Sequence, residues 1–119
     1  MLGNFSTASG GTLKGSAAAS IVFGSGAGFT TNAGFTGSPF GSSVNNAIVF
    51  QAGSTYTSNA GNNPFQASAP NSVVDFQAGS NQIFNSASGF DGDKRTYRNL
   101  TLNAAITAAN SGNLIIGNR

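Results

Sequence analysis

The chain has 119 residues, enough for one ordinary domain. Only 7% of them are charged, against roughly 25% in a typical soluble domain, and the net charge is +2. Because the sequence contains neither cysteine nor histidine, it can form no disulfide, no thiolate metal site and no ordinary catalytic triad. The few basic residues also argue against a nucleic-acid surface, which needs clustered Lys and Arg.

Glycine, serine, threonine and asparagine make up close to half of the chain, a composition that is also compatible with disorder. Hydrophobic residues nevertheless account for 39% and include ten phenylalanines at regular places. Disordered segments lack aromatic residues and carry charge. The composition therefore favours an ordered fold.

A short apolar segment recurs along the chain at steps of about 26 residues. Its first position is aliphatic: Ile21, Ile48, Val74 and Leu100. Its third position is large and apolar: Phe23, Phe50, Phe76 and Leu102. Its second position tolerates polar residues: Val22, Val49, Asp75 and Thr101. Since side chains alternate between the faces of a strand, we expect the side chains at the first and third positions to point inward and those at the second position to face solvent or another layer.

A second element follows each of these strands. The run Thr30-Thr31-Asn32-Ala33-Gly34 matches Thr57-Ser58-Asn59-Ala60-Gly61, and its Asn and Gly residues fit a turn. Phe29 and Tyr56 occupy equivalent positions just before these runs. In the next copy this position falls on Gln82, which predicts a small insertion or bulge there.

A third apolar column contains Phe40, Phe65 and Phe90, at steps of 25 residues. Extending it places Leu13 above and Ile115 below. The alternative for the C-terminal end is that residues 114–116 open a new copy of the first strand. Each copy of the repeat therefore contains three apolar segments. This predicts that each turn of the fold has three faces.

This self-similarity predicts an all-β fold, a right-handed parallel β-helix (β-solenoid) with about 26 residues per coil and three faces. We expect residues 1–119 to be a single solenoid segment of a longer repeat protein. Stacked coils would also place Gln51, Gln77 and Asn103 in an amide ladder. An antiparallel β-sandwich is the rival, but it does not predict like residues every 26 positions.

Five of the eight charged residues lie in one segment, residues 91–98. Asp91 and Asp93 are weak candidates for a calcium site, because calcium takes six to eight oxygen ligands and no further acid is near. The alternative is a solvated loop. Candidate ligand-binding residues, on the hypothesis of a glycan site with exposed tyrosines, are Tyr56, Tyr97, Arg95 and Arg98. No catalytic residue and no cofactor is predicted, and we do not expect an enzyme.

Three runs, residues 48–56, 59–65 and 95–103, combine short apolar segments with Asn- and Gly-rich turns. In these runs the chain resembles the repetitive secreted and cell-surface proteins of Bacteroidota, including cargo of type IX secretion. The resemblance implies an extracellular or cell-surface location and a structural or adhesive role.

The predicted function is therefore a non-catalytic extracellular structural or adhesive β-solenoid module. Its alternatives are a carbohydrate-binding module and a self-stacking filament subunit. Ice binding by threonine rows is less favoured, because Asn81 and Ile83 replace Thr55 and Thr57 in the next copy. The expected partners are further coils or neighbouring subunits at the open ends, and glycans, with no nucleic acid and no membrane span.

Overall fold

The structure is a computed structural model that describes residues 3–7, 10–106 and 115–117. In the described part, all strand pairs are parallel, and the helical content is one single-turn 3-10 helix, Ala87–Gly89. The strands are β1 (Asn4–Thr7), β2 (Ile21–Phe23), β3 (Gly28–Thr31), β4 (Ile48–Phe50), β5 (Thr55–Ser58), β6 (Val74–Phe76), β7 (Asn81–Phe84), β8 (Thr96–Tyr97), β9 (Asn99–Leu102) and β10 (Ile115–Ile116).

The strands stack as successive coils, which confirms the β-solenoid. One sheet has the order β2-β4-β6, and a second, five-stranded sheet has the order β1-β3-β5-β7-β9. In the first sheet Phe23 lies beside Phe50 and Phe50 beside Phe76, so residues about 26 apart are neighbours across about three turns. Within the described ranges, the third side of the turns is irregular chain rather than a sheet.

A tetrapeptide turn joins the two sheets within a coil. In the turn Gln51-Ala52-Gly53-Ser54, the Ser54 amide and hydroxyl both donate to the Gln51 carbonyl, at 3.1 and 2.6 Å. Gly53 has a φ of 80°, as the third position of a type II turn requires. A side chain there would also meet the Ser25 hydroxyl of the previous coil at 2.5 Å. The same turn recurs at residues 77–80, which explains why the sequence repeats Gln-Ala-Gly-Ser.

Aromatic rings fill the interior of the solenoid. The Phe23 and Phe50 rings stack with centroids 4.5 Å apart, and Phe76 follows Phe50 at 5.4 Å. Offset and edge-on ring pairs of this kind add to the free energy of apolar burial. The residues of the third apolar column, Phe40, Phe65 and Phe90, are buried as expected. Leu13 packs against the same core, and its amide donates to the Pro39 carbonyl at 3.0 Å.

The last coil differs from the sequence prediction. Leu100 and Leu102 pair with Gln82 and Phe84 of the five-stranded sheet, not with Val74 and Phe76. The register prediction was wrong because this coil lacks the tetrapeptide turn and advances by 18 residues, from Asn81 to Asn99.

The place next to Phe76 is taken by Tyr97, whose ring stacks on it at 6.3 Å. Tyr97 belongs to β8, and only Arg98 separates β8 from β9. Strand β10 pairs with β8, so residues 115–116 continue the first-strand position. The alternative in which residues 114–116 open a new first strand is thereby confirmed for the two residues of β10; residue 114 lies outside the described residues.

The predicted bulge at Gln82 is also absent. Gln82 lies in register beside Tyr56 and is fully buried. Its amide nitrogen donates to the Ser80 hydroxyl at 2.9 Å, and its carbonyl oxygen accepts the Arg98 backbone N–H at 2.8 Å. A polar residue is tolerated here because both ends of its amide are hydrogen-bonded.

An amide ladder exists, but with different members from those predicted. Asn85 donates to the Asn59 side-chain oxygen at 2.8 Å, and Asn103 donates to that of Asn85 at 2.7 Å. Asn103 joins this ladder rather than the Gln51 and Gln77 column because the last coil is short. A second contact of this kind links Asn99 to Asn81 at 3.1 Å.

Candidate functional site

The charged segment 91–98 folds onto the preceding coil. The Asp91 carboxylate accepts the Arg95 Nε–H at 2.8 Å through one oxygen and the Asp93 backbone N–H at 3.0 Å through the other. Among the described residues, no three or more His, Cys, Asp or Glu side chains are grouped to hold a metal ion. Calcium binding by Asp91 and Asp93 stays a prediction, with the Asp91 carboxylate already engaged.

Arg95 ties this segment to residues 67–71. Its Nη1 donates to the Asn71 carbonyl at 2.6 Å and its Nη2 donates to the Ala67 carbonyl at 2.7 Å. Its guanidinium lies over the Phe65 ring, 4.6 Å from the centroid, an arrangement that adds cation–π attraction. Because all three guanidinium nitrogens are engaged and the residue is 5% exposed, Arg95 acts in the described structure as a structural clamp.

The two tyrosines are buried, so the expectation that they are exposed to a ligand is wrong. Tyr56 lies on an inward position of β5, between Phe29 and Gln82. Tyr97 donates its O–H to the Asp91 carbonyl at 2.7 Å and accepts the Asp91 N–H at 3.3 Å. Burial raises the pKa of both hydroxyls above their ordinary value of 10.0. The sequence held the signal for Tyr56, because it occupies the same position as Phe29.

The Arg98 side chain supplies a hydrogen bond that the missing turn would otherwise make. In the earlier coils the Phe23 and Phe50 carbonyls accept the backbone N–H of the residue that opens the turn, each at 2.9 Å. The corresponding carbonyl of Phe76 instead accepts the Arg98 Nε–H at 2.8 Å. A side chain thus satisfies a buried backbone group that the shortened coil leaves without its usual partner.

Ser72 hydrogen-bonds the backbone at the other end of β6. Its hydroxyl accepts the Val74 N–H at 3.0 Å and donates to the Val74 carbonyl at 2.7 Å. With Ser72 at one end and Arg98 at the other, side chains engage the edge of β6, and β8 pairs with β10 instead. Blocking an edge in this way limits unwanted strand pairing.

A groove opens between β6, the last strand of the three-stranded sheet, and residues 94–98, which include strand β8 of the two-stranded sheet. Its volume is about 290 Å³, near the lower end for ligand pockets. We call it the basic groove, and its polar lining residues are Asn46, Ser72, Asp75, Lys94, Arg95, Thr96 and Arg98. The sequence indicated two of these residues, Arg95 and Arg98. The remaining residues are brought together by the fold, and the run of charges at 91–98 was the single signal for the location.

The outward face of the five-stranded sheet is uncharged. One of its columns contains Ser6, Thr30, Thr57, Ile83 and Thr101 in register. Ile83 lies beside Thr57, so the interruption of the threonine row read from the sequence is confirmed. Ice binding remains a prediction that this geometry does not test.

No protein-family model, curated protein or solved structure matches this chain. The described residues contain no helix of the length and apolarity needed to cross a membrane. The class that the fold defines is that of a β-solenoid, with a small basic groove at the place where its last coil shortens.

Proposed function

We propose that this chain is a non-catalytic structural or adhesive β-solenoid module that works outside the cytoplasm. The observation that carries the proposal is the unbroken hydrogen-bonded stack of the five-stranded sheet, from β1 to β9. Such a stack acts through geometry, because each coil holds the next at about 4.8 Å and displays outward side chains at fixed spacing.

The small number of accessible basic residues supports this role. The chain has only five basic residues, and one of them, Arg95, is buried in the clamp described above. Trypsin-like proteases therefore find few accessible sites, which suits an extracellular environment. The resemblance to secreted and surface proteins of Bacteroidota points in the same direction.

Location is tested by staining. An antibody against the chain should label intact, unpermeabilised cells of the organism that encodes it, or detect the protein in the culture medium. A cytoplasmic control protein must stay unlabelled in the same cells. Detection only after permeabilisation would overturn the proposed location.

The structural role is tested by stability to unfolding and resistance to proteolysis. Phe50 contacts the rings of Phe23, Phe40, Tyr56 and Phe76, so Phe50→Ala should cost about 3–5 kcal/mol of unfolding free energy and make the chain sensitive to trypsin. The control is Val44→Ala at an exposed position, which should leave resistance unchanged. A wild-type chain that trypsin degrades as fast as Phe50→Ala would contradict the structural role.

A further inference from the structure

We infer that the basic groove binds a carboxylate-bearing sugar, a uronate residue of an acidic glycan. This inference deepens the proposed function and rests on it, since an adhesive module needs a ligand. It concerns residues that the fold alone brings together, at the separation between β6 and β8.

Two cationic groups in the groove are uncommitted. Lys94 is exposed, and among the described residues no carboxylate lies within ion-pairing distance of its amine. Arg98 uses its Nε for the Phe76 carbonyl and packs the Nη1 side of its guanidinium against Gly117. Within the described ranges neither Nη1 nor Nη2 has a hydrogen-bond acceptor, and Nη2 is the nitrogen left for a ligand. Arg95 by contrast is fully engaged in the clamp. Lys94 and Arg98 are therefore the groups that an anionic ligand would meet.

The other lining residues favour a singly charged ligand that also carries hydroxyl groups. Asp75 faces the same groove and forms only a long contact, 3.4 Å, with the Gln77 side-chain nitrogen. Its carboxylate repels a dianion such as phosphate, but it accepts hydrogen bonds from hydroxyls. The Asn46 amide and the Thr96 hydroxyl add a donor and an acceptor each, and in the described structure neither has a side-chain hydrogen bond.

The dimensions limit the ligand to one sugar at a time. A volume of about 290 Å³ accommodates a single ring, and the exposed Pro70 gives an apolar surface for its C–H face. A uronate combines the required features in one residue: a single carboxylate for Lys94 and Arg98, and ring hydroxyls for Asp75. An oligomer would leave through the open side of the groove.

The test is a titration of the full 119-residue chain with trigalacturonate, followed by NMR shifts of backbone amides. Saturable shifts are expected at Ser72, Asp75 and Thr96, with a Kd of about 1 mM or tighter. Affinity should fall as salt is raised, because the contact is electrostatic. Maltotriose, a neutral trisaccharide, and inorganic phosphate serve as the comparison probes and should bind at least tenfold more weakly.

Matched variants distinguish binding at the groove from a general effect of net charge. Lys94→Gln should weaken binding about tenfold, the loss of one charge-assisted hydrogen bond, whereas Lys14→Gln makes the same charge change at an exposed site elsewhere and should alter it less than twofold. Thr96→Val keeps the shape and should weaken binding about threefold. Retained amide dispersion shows that each variant is folded.

Several results would overturn the inference. They are absence of saturation, equal binding of maltotriose, phosphate binding with the affinity of trigalacturonate, or equal effects of the two lysine variants. None of these results bears on location or on protease resistance, so failure of the sugar site and failure of the structural module are distinguishable.

Discussion

The two buried tyrosines give opposite predictions for the same chemical change. Tyr97→Phe removes a hydroxyl that donates to the Asp91 carbonyl at 2.7 Å and accepts the Asp91 N–H at 3.3 Å. Tyr56→Phe removes a buried hydroxyl whose polar neighbour is the Ser58 hydroxyl, and among the described residues neither of these two oxygens has a partner at hydrogen-bond geometry. Each variant therefore deletes one oxygen atom from the aromatic core, but only the first deletes hydrogen bonds.

The expected magnitudes follow from this difference. Loss of the Tyr97 hydroxyl leaves both backbone groups of Asp91 without their partner, which should cost about 1–2 kcal/mol of unfolding free energy. Loss of the Tyr56 hydroxyl removes a buried polar group whose neighbour Ser58 is not at hydrogen-bond geometry, so stability should stay level or rise by up to about 1 kcal/mol. The two variants should thus differ by about 2 kcal/mol.

The assay is urea unfolding monitored by far-ultraviolet circular dichroism. The curves of wild type and both variants are fitted with one shared slope of unfolding free energy against urea concentration. Phenylalanine is compatible with the position of Tyr56, because Phe29 occupies the equivalent position one coil earlier. Equal losses in the two variants, or a larger loss for Tyr56→Phe, would refute the reasoning from hydrogen bonding.

Three further predictions concern pH, the clamp and the amide ladder. Burial raises the pKa of both tyrosines above 10.0, so above about pH 10 the unfolded chain loses protons that the folded chain keeps, and unfolding free energy should fall as pH rises. Urea midpoints between pH 8 and 11.5 check this, and a flat profile would contradict it. Arg95→Met should cost about 3 kcal/mol or more, because it leaves one oxygen of the partly buried Asp91 carboxylate and two backbone carbonyls without partners. Arg95→Lys should recover little of this loss, since a lysine presents no fork of donors, and full recovery would disprove the clamp. Asn85→Ala should cost about 1 kcal/mol by interrupting its ladder. Exposed Asn62→Ala should change stability by less than about 0.5 kcal/mol, and thermal unfolding that ranks the two asparagine variants the other way would argue against the ladder.

The repeating part of the fold could be read from the sequence because it is a nearest-neighbour structure. Coils contact mainly the coils above and below, so the spacing of Phe23, Phe50 and Phe76 was enough to predict their stacking. The structure adds why glycine recurs in the turn at Gly53, since a positive φ and a close approach to the previous coil leave room for glycine alone.

The candidate site could not be read in this way. It arises where the period fails, at a coil that steps by 18 residues instead of 26. Nothing local to Arg98 indicates that its guanidinium will replace a backbone N–H at the Phe76 carbonyl. The exposure assigned to Tyr97 failed for the same reason, because its inward position depends on the shortened coil.

By itself the sequence determined that the chain is a β-solenoid, which residues face inward in the regular coils, and that its charges gather near residue 95. Tertiary structure alone decided the register of the last coil, the membership of the amide ladders and the opening of the basic groove. The physical reason is that periodic contacts need only a constant spacing along the chain. An irregular coil is placed by competition among particular side chains for the same buried backbone groups, and only the packed molecule shows which side chain wins.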